Sequence, residues 1–273
     1  MSSRTITVLS LGGGVQSTTL ALMAARGVLT PMPIEAVFAD THSEPAAVYR
    51  HLAKLAGHLP FPVARVSAGD LRADLLATMR GERGRMEARP PFFTSRGGMV
   101  QRQCTRYYKI RPVQRRIREL LGLKSGQRWP KDVRCHQWIG ISLDEAHRMK
   151  PSGVPSIENV YPLVDARLTR ADCLRWLELN GYERPPKSAC TFCPYHDDAQ
   201  WRALRDSAPA DWADAVRVDE AIRGGVPGPR RPGGEAWFVH RSRVPLSQAD
   251  LSTPEERGQA NLFGNECEGM CGV

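Results

Sequence analysis

Short apolar runs alternate with amphipathic segments along the first half of the chain. Buried strands are predicted at residues 5–11, 34–39, 63–66 and 133–142, and helices at 17–26, 45–56, 71–79 and 108–121. Strands that alternate with helices are typical of a parallel sheet covered by helices on both faces. The pattern therefore predicts a doubly wound, mostly parallel α/β fold of the Rossmann-like kind, with its ligand at the carboxyl ends of the strands.

The second half of the chain has a weaker pattern. Residues 161–164 are predicted to be short and extended. Thr169 and Asp172 form a capping box that starts another helix. Beyond about residue 200 the pattern loosens, which leaves a helix at 210–223 and a strand at 236–240 before a tail. These features predict a main domain followed by a small irregular C-terminal region.

The length and composition fit a globular protein with a basic surface. With 273 residues and 41% apolar side chains, the chain suits one domain over residues 1–200 and a smaller extension over residues 201–273. Its net charge of +9 favours polyanion partners such as nucleotides or nucleic acid. No apolar run reaches the length of a membrane span, and the N-terminus lacks a cleavage-site pattern. The expected compartment is therefore the cytoplasm, without membrane contact.

A glycine loop separates the first predicted strand from the first predicted helix. The glycines at positions 12–14 allow a sharp turn that points several backbone N–H groups at one place. Together with the helix N-terminus and the hydroxyls of Ser17 and Thr18, they form an anion site. Gln16 stands where a Walker loop has lysine, which excludes that motif. The alternative is a tight turn that holds no ligand.

The segment from Gly12 to Ser17 resembles the Ser-Gly-Gly-x-Asp-Ser loop of the PP-loop ATP pyrophosphatase superfamily, with Gly12 for the first Ser and Gln16 for the Asp. Four further motifs, in order, resemble its phosphoadenosine phosphosulfate (PAPS) reductase-like branch: Phe38-Ala39-Asp40-Thr41, Cys104-Thr105 with Lys109-Ile110, Gly140-Ile141-Ser142 and Tyr161-Pro162-Leu163. The resemblance implies an adenine nucleotide α-hydrolase-like fold that binds ATP with Mg²⁺, or PAPS. The nucleotide-binding residues are then Ser10, Gly12, Gly13, Gly14, Gln16, Ser17, Thr18, Asp40 and Gly140.

Asp40 also has an interpretation that does not depend on the resemblance. It ends the second predicted strand, beside the glycine loop. A carboxylate at that place can accept hydrogen bonds from ribose hydroxyls or hold Mg²⁺. The alternative is that Asp40 is the N-cap of the helix that follows.

The cysteines are candidates for metal binding or redox chemistry, because disulfides are rare in the cytoplasm. Cys190 and Cys193 form a Cys-x-x-Cys pair, whose thiolates can reach one metal from a single turn. Cys104 is the third candidate ligand, since the cations beside it favour a thiolate. Three interpretations stay open: a [4Fe–4S] cluster on these three cysteines, which the resemblance favours; a structural zinc, with His196 or the tail pair; or reduced thiols. The candidate catalytic thiols are Cys104 and the tail pair Cys267 and Cys271.

The segment from residue 96 to residue 118 carries eight positive side chains and no acidic one. Arginines interleaved with Tyr107 and Tyr108 suit phosphates and stacked bases. The alternative is a solvated helix face, which accounts for the cations at the end of the segment but not for those in the loop. The candidate nucleic-acid contacts are Arg102, Arg106, Lys109 and Arg111.

The resemblance implies an ATP-dependent sulfurtransferase that adenylates a substrate oxygen and replaces it with sulfur, and the basic segment favours a nucleic acid such as tRNA or DNA as its substrate. A cysteine desulfurase or another sulfur donor is the expected partner, and the oligomeric state stays open, a homodimer included. The first alternative is a PAPS reductase-like enzyme acting on a sulfonucleotide. The second is a non-catalytic, zinc-stabilised protein that binds nucleic acid.

Overall fold

The structure, a computed structural model, describes residues 4–82, 88–124, 126–225, 235–252 and 256 of the chain. Within these residues the strands are β1 (Arg4–Ser10), β2 (Glu35–Asp40), β3 (Val63–Ser67), β4 (Phe93–Thr94), β5 (Val133–Ile139), β6 (Ile157–Val160) and β7 (Trp237–Phe238). Five of them form a parallel sheet in the order β3-β2-β1-β5-β6. β4 and β7 form a separate antiparallel pair.

Helices cover both faces of the parallel sheet. The helices are α1 (Val15–Ala25), α2 (Ala46–Ala56), α3 (Leu71–Met79), α4 (Arg111–Leu120), α5 (Pro162–Asp165), α6 (Arg170–Leu179), α7 (Asp198–Ser207) and α8 (Pro209–Ala221). On one face, α1 and α6 bury Leu20 and Leu177 against Leu9 of β1. On the other face, α4 buries Val113 and Ile117 against strands β1 and β2. The predicted doubly wound α/β fold is therefore confirmed.

A further hydrophobic cluster joins the main sheet domain to the C-terminal residues. Phe92, Tyr108 and Phe192 share it with Trp201 of α7 and Trp237 of β7. The residues on either side of the predicted boundary at residue 200 thus bury apolar surface against each other. None of the described helices is both long and apolar enough to cross a membrane.

Three local predictions differ from the structure. Residues 161–164 are not extended, because Pro162 begins the short helix α5, whose first turn tolerates the fixed φ of proline. The extended segment is β6, which ends just before residue 161. The region just after residue 200 is helical and not irregular as predicted, because a capping box of Asp197 and Gln200 starts α7. The predicted helix 108–121 begins earlier, with a π-helical turn at Thr105–Ile110, whereas the capping box of Thr169 is confirmed.

Candidate nucleotide-binding site

The carboxyl edge of the sheet opens between β1 and β5. From β1 the chain continues to β2 and β3 on one side, and it later returns to β5 and β6 on the other side. The loops after β1 and β5 therefore diverge, and open α/β sheets bind ligands where such loops separate. The glycine loop follows β1 and Gly140 follows β5, so both border this crevice.

The glycine loop presents the start of α1 to the crevice. Gly13 lies at φ 79°, in the left-handed region that favours glycine. Gly14 is the N-cap of α1, and no side chain caps the helix there. The N–H groups of the first turn therefore lack a side-chain acceptor, which leaves the positive end of the helix dipole open to an anion.

Gly140 lets the β5 loop touch the start of α1. A Cβ atom at this position would lie 2.7 Å from the Ser17 nitrogen and 2.8 Å from the Ser17 Cα. Both are backbone atoms, which cannot swing aside as the end of a flexible side chain can. Close packing thus requires the glycine at position 140, and this packing holds the β5 loop against the first turn of α1.

A cavity of about 270 Å³ lies on the glycine loop and is called the first cavity below. Its walls include six of the predicted nucleotide-binding residues: Ser10, Gly12, Gly14, Gln16, Ser17 and Gly140. Four cationic side chains also line it: Arg148, Arg170, Arg184 and Lys187. Glu145 is the carboxylate in this described lining, and it lies 3.0 Å from Gln16 Nε2 and 2.8 Å from Arg148. The excess of cations makes the first cavity attractive to a phosphate chain.

The segment that supplies Arg184 and Lys187 is fastened to the glycine loop. Ser188 Oγ donates a hydrogen bond to the Gly12 carbonyl and lies 3.3 Å from Glu44 Oε2. No sequence motif indicates this contact, because the two segments are far apart along the chain. The contribution of Arg184 and Lys187 to the first cavity could therefore not be predicted from local sequence.

Three predicted nucleotide-binding residues lie elsewhere. The Gly13 Cα faces α2, where an added Cβ would come within 3.3 Å of Val48. Thr18 is buried, and its hydroxyl lies 2.9 Å from His51 Nε2. Asp40 is 0% exposed and is absent from the described walls of both cavities in the crevice. These residues shape the loop and its surroundings without facing the first cavity.

The Asp40 carboxylate is occupied by neighbouring groups. Its oxygens accept from the His42 N–H at 2.8 Å, from the Tyr49 hydroxyl at 2.8 Å and from Arg65 Nε at 2.6 Å. Burial acts to raise the pKa of Asp40, but these hydrogen bonds outweigh it and hold the pKa below its usual value. The proposed contact with ribose or Mg²⁺ gains no support from this geometry. The other interpretation, in which Asp40 is the N-cap of the helix that follows, is wrong because the N-cap of α2 is Pro45.

A second cavity, of about 290 Å³, adjoins the first and shares Ser10, Gly12 and Ile139 with it. Its apolar walls include Leu11, Phe38, Ile110 and Val113. Its cations are Arg102, Arg106, Lys109 and Lys150, and the described lining contains no carboxylate. Asn159 also lines it, with a buried Oδ1 that has no hydrogen-bond partner among the described residues. Apolar walls with a few polar groups suit a nucleoside.

The basic segment divides into cavity-lining and surface residues. Arg102, Arg106 and Lys109 line the second cavity, and Lys109 Nζ is 3.0 Å from the buried carboxylate of Glu44. Arg111 is exposed and stacks on Tyr107, with its guanidinium 4.2 Å from the ring centre. Three of the four predicted nucleic-acid contacts therefore surround a recess that a small anion or a single nucleotide can enter.

The three candidate metal-binding cysteines lie in one hydrophobic cluster behind the crevice. Cys190 and Cys193 are buried, whereas Cys104 is half-buried. Cys190 Sγ is 3.3 Å from the Thr41 hydroxyl, and burial raises the pKa of its thiol. Burial also lowers the pKa of His196 to about 4, and its Nε2 is 3.1 Å from the Cys190 carbonyl.

These cysteines do not present a ready metal site. Within the described parts of the chain, no group of three or more His, Cys, Asp or Glu side chains is placed to hold a metal ion. Cys267 and Cys271, the predicted tail pair, lie outside the described residues. The described residues therefore do not fit a [4Fe–4S] cluster or a zinc ion.

Comparison of the sequence with protein families finds no match, and comparison with curated proteins finds none either. A search of solved structures returns several matches, among them a PAPS reductase from Candida auris in a phosphate complex. The two share 13% sequence identity, with a TM-score of 0.40 over 66% of this chain and 74% of that one.

Proposed function

We propose that this protein is an enzyme of the PP-loop type that binds an adenine nucleotide across the two cavities. The phosphates lie in the first cavity, and the nucleoside lies in the second, with the ribose over the shared Ser10 and Gly12. The observation that carries this proposal is the meeting of an uncapped helix N-terminus with four cationic side chains in one recess. Backbone N–H groups and cations together are a recurrent phosphate site.

The proposed reaction is ATP-dependent sulfur transfer. A substrate oxygen attacks the α-phosphate, which forms an adenylate and releases pyrophosphate into the first cavity. The N–H groups of the glycine loop stabilise the charge on that leaving group. The outer sulfur of a cysteine persulfide then bonds to the activated substrate carbon as the C–O bond to AMP breaks, and a second thiol cleaves the resulting disulfide to release the thiolated product. Cys104 is the proposed carrier because it is half-buried and beside Arg102 and Arg106 in the sequence. Glu145 is already paired with Arg148, so the described lining provides no spare carboxylate for Mg²⁺.

Calorimetry with ATP and with PAPS tests this function. We expect wild type to bind ATP and the Arg184→Ala variant to bind it about 10-fold more weakly or worse, as for the loss of a charged hydrogen bond of about 1.5–3 kcal/mol. The matched control is Arg175→Ala, on the exposed surface of α6, which should bind as wild type does. Binding of neither nucleotide by the wild type would disprove the proposal.

A PAPS reductase-like activity is the second candidate, and one observation favours it. The second cavity has four cations and no carboxylate in its described lining, although the adenosine end of ATP is uncharged. PAPS carries a 3′-phosphate at that end, which the cations would neutralise. The Arg106→Ala variant should then weaken PAPS binding much more than ATP binding. Equal effects on both nucleotides would favour the sulfurtransferase.

A nucleic-acid acceptor remains part of the proposal. The cations of both cavities lie at one edge of the sheet, and a phosphate backbone crossing that edge would meet Arg102 and Arg170. The zinc-stabilised binding protein is the second alternative, and its candidate tail ligands Cys267 and Cys271 lie outside the described residues.

A further inference from the structure

A buried acid–base pair lies outside both cavities, where the C-terminal segment packs on α7. His240 Nε2 is 2.9 Å from Asp198 Oδ1, and each of these side chains is 3% exposed. Arg241 contacts the second carboxylate oxygen of Asp198. On the other side of the ring, His240 Nδ1 is 2.6 Å from the hydroxyl of Ser242, which is exposed. A nucleophile, a base and an acid are thus hydrogen-bonded in series.

The backbone determines which nitrogen of His240 carries the proton. The Ser242 N–H donates to Nδ1 at 3.2 Å, so Nδ1 bears a lone pair. Nε2 then carries the hydrogen that Asp198 accepts. In this tautomer the Ser242 hydroxyl donates to Nδ1, and Asp198 is placed to stabilise the imidazolium that forms when the ring takes a proton. The nitrogens are exchanged relative to the commonest serine hydrolases, but each group has the same role.

Part of this arrangement has a structural role. The pair holds the segment after β7 on α7, as Asp219 holds it on α8 by accepting from the N–H groups of Val239 and Leu246 at 2.9 Å. The hydroxyl of Ser242 is not needed for that purpose, because the Ser242 N–H already satisfies Nδ1. The role of His240 in holding the segment does not explain why the exposed Ser242 hydroxyl is hydrogen-bonded to this buried and oriented base.

We infer that Asp198, His240 and Ser242 form a second reaction site, with Ser242 as a nucleophile toward activated carboxylic esters. Arg243 follows the serine and is exposed, whereas the charge of Arg241 is paired with Asp198. The charge of Arg243 favours an acyl group that carries a carboxylate or a phosphate. The site shares no residue with the two cavities, so it does not depend on the proposed nucleotide function.

The reaction balances without a cofactor. Ser242 Oγ bonds to the carbonyl carbon of the ester while its proton passes to His240 Nδ1. The ester C–O bond breaks, and the leaving alkoxide takes that proton from His240 and departs as an alcohol. Water then attacks the acyl-serine, with His240 again as the base, and a carboxylic acid leaves as Ser242 regains its proton.

Covalent labelling of the full-length protein with a fluorophosphonate, followed by peptide mass spectrometry, tests the inference. Ser247 is an exposed serine of the same segment and serves as the internal control. We expect Ser242 to be labelled about 100-fold faster than Ser247 or more, which is the size of a general-base effect. This comparison is made within wild type, so it does not depend on the folding of a variant.

Two variants extend the test to ester hydrolysis. Ser242→Ala should abolish labelling at that position and reduce hydrolysis of p-nitrophenyl acetate to the uncatalysed rate, whereas Ser247→Ala should change neither. Because both serines are exposed, both variants should melt as wild type does. Equal labelling of the two serines, no labelling of Ser242, or full hydrolysis by Ser242→Ala would show that the pair serves only to anchor the segment.

Discussion

Replacing Gly140 with alanine should either destabilise the fold or weaken nucleotide binding, because the new methyl group has no room. Its carbon would lie 2.7 Å from the Ser17 nitrogen, 2.8 Å from the Ser17 Cα and 3.1 Å from the Gln16 carbonyl carbon. If the β5 loop keeps its place, the folded protein bears the strain. If the loop moves away, the wall of the first cavity moves with it.

The magnitude follows from the cost of overpacking, about 1–3 kcal/mol. About 1.4 kcal/mol corresponds to a tenfold change in an equilibrium constant, so the affinity falls roughly 5- to 150-fold if the whole cost appears in binding. If the whole cost appears in stability, the midpoint of unfolding falls by about 2–4 °C for each kcal/mol. We expect the losses of binding free energy and of stability to add up to about 1–3 kcal/mol.

Calorimetric titration with the nucleotide that the wild type binds, together with thermal unfolding, measures both losses in Gly140→Ala. Gly224→Ala is the distant control, since a Cβ there would meet nothing within 4 Å. Gly12→Ala is the local control, because its Cβ would lie at an ordinary 3.6 Å from Ser17 Oγ and should not destabilise the fold. A Gly140→Ala protein with the affinity and melting temperature of wild type would refute the close approach of the two loops.

Three other predictions concern the surroundings of the site. Asp40→Asn should lower the free energy of unfolding at neutral pH by about 1.5–3 kcal/mol, as for hydrogen bonds to a charged group. Because the pKa of Asp40 is lowered in the folded state, its contribution to the free energy of unfolding is lost as the pH falls through that pKa. The stabilities of the variant and the wild type should therefore converge in acid, and a difference that stays constant with pH would contradict this prediction. Iodoacetamide at neutral pH should modify the half-buried Cys104 before Cys173, whose pKa is raised to about 12 by burial, and the reverse order by mass spectrometry would refute the described burial. If tRNA or duplex DNA binds, Arg106→Ala should reduce the slope of log affinity against log salt by about 0.7–0.9, whereas Arg115→Ala, on the exposed face of α4, should reduce it less. A slope near zero for the wild type would exclude contacts with the nucleic-acid backbone.

The sequence predicted four of the five parallel strands and the turn of the glycine loop, because these features depend on neighbours along the chain. A short β-branched and apolar run such as residues 5–11 is typical of a buried strand, and glycines between a strand and a helix predict a turn with exposed N–H groups. The same local logic correctly placed the capping box of Thr169. It also marked Gly140 from its motif, although the reason for that glycine, the backbone of Ser17, became visible only in three dimensions.

The remaining parts of the site were decided by tertiary structure. Asp40 has the right position in the sequence for ribose or Mg²⁺, yet Arg65 from the adjacent strand occupies its carboxylate. Arg184 reaches the first cavity because Ser188, in the same segment, fastens that segment to the carbonyl of Gly12, which is far away in the sequence. Such contacts depend on the paths of loops, and loop sequences lack the hydrophobic periodicity from which structure can be predicted. The sequence by itself therefore determined most of the strands and helices and the glycine loop, whereas the fold alone decided which charged side chains line the two cavities and which are paired.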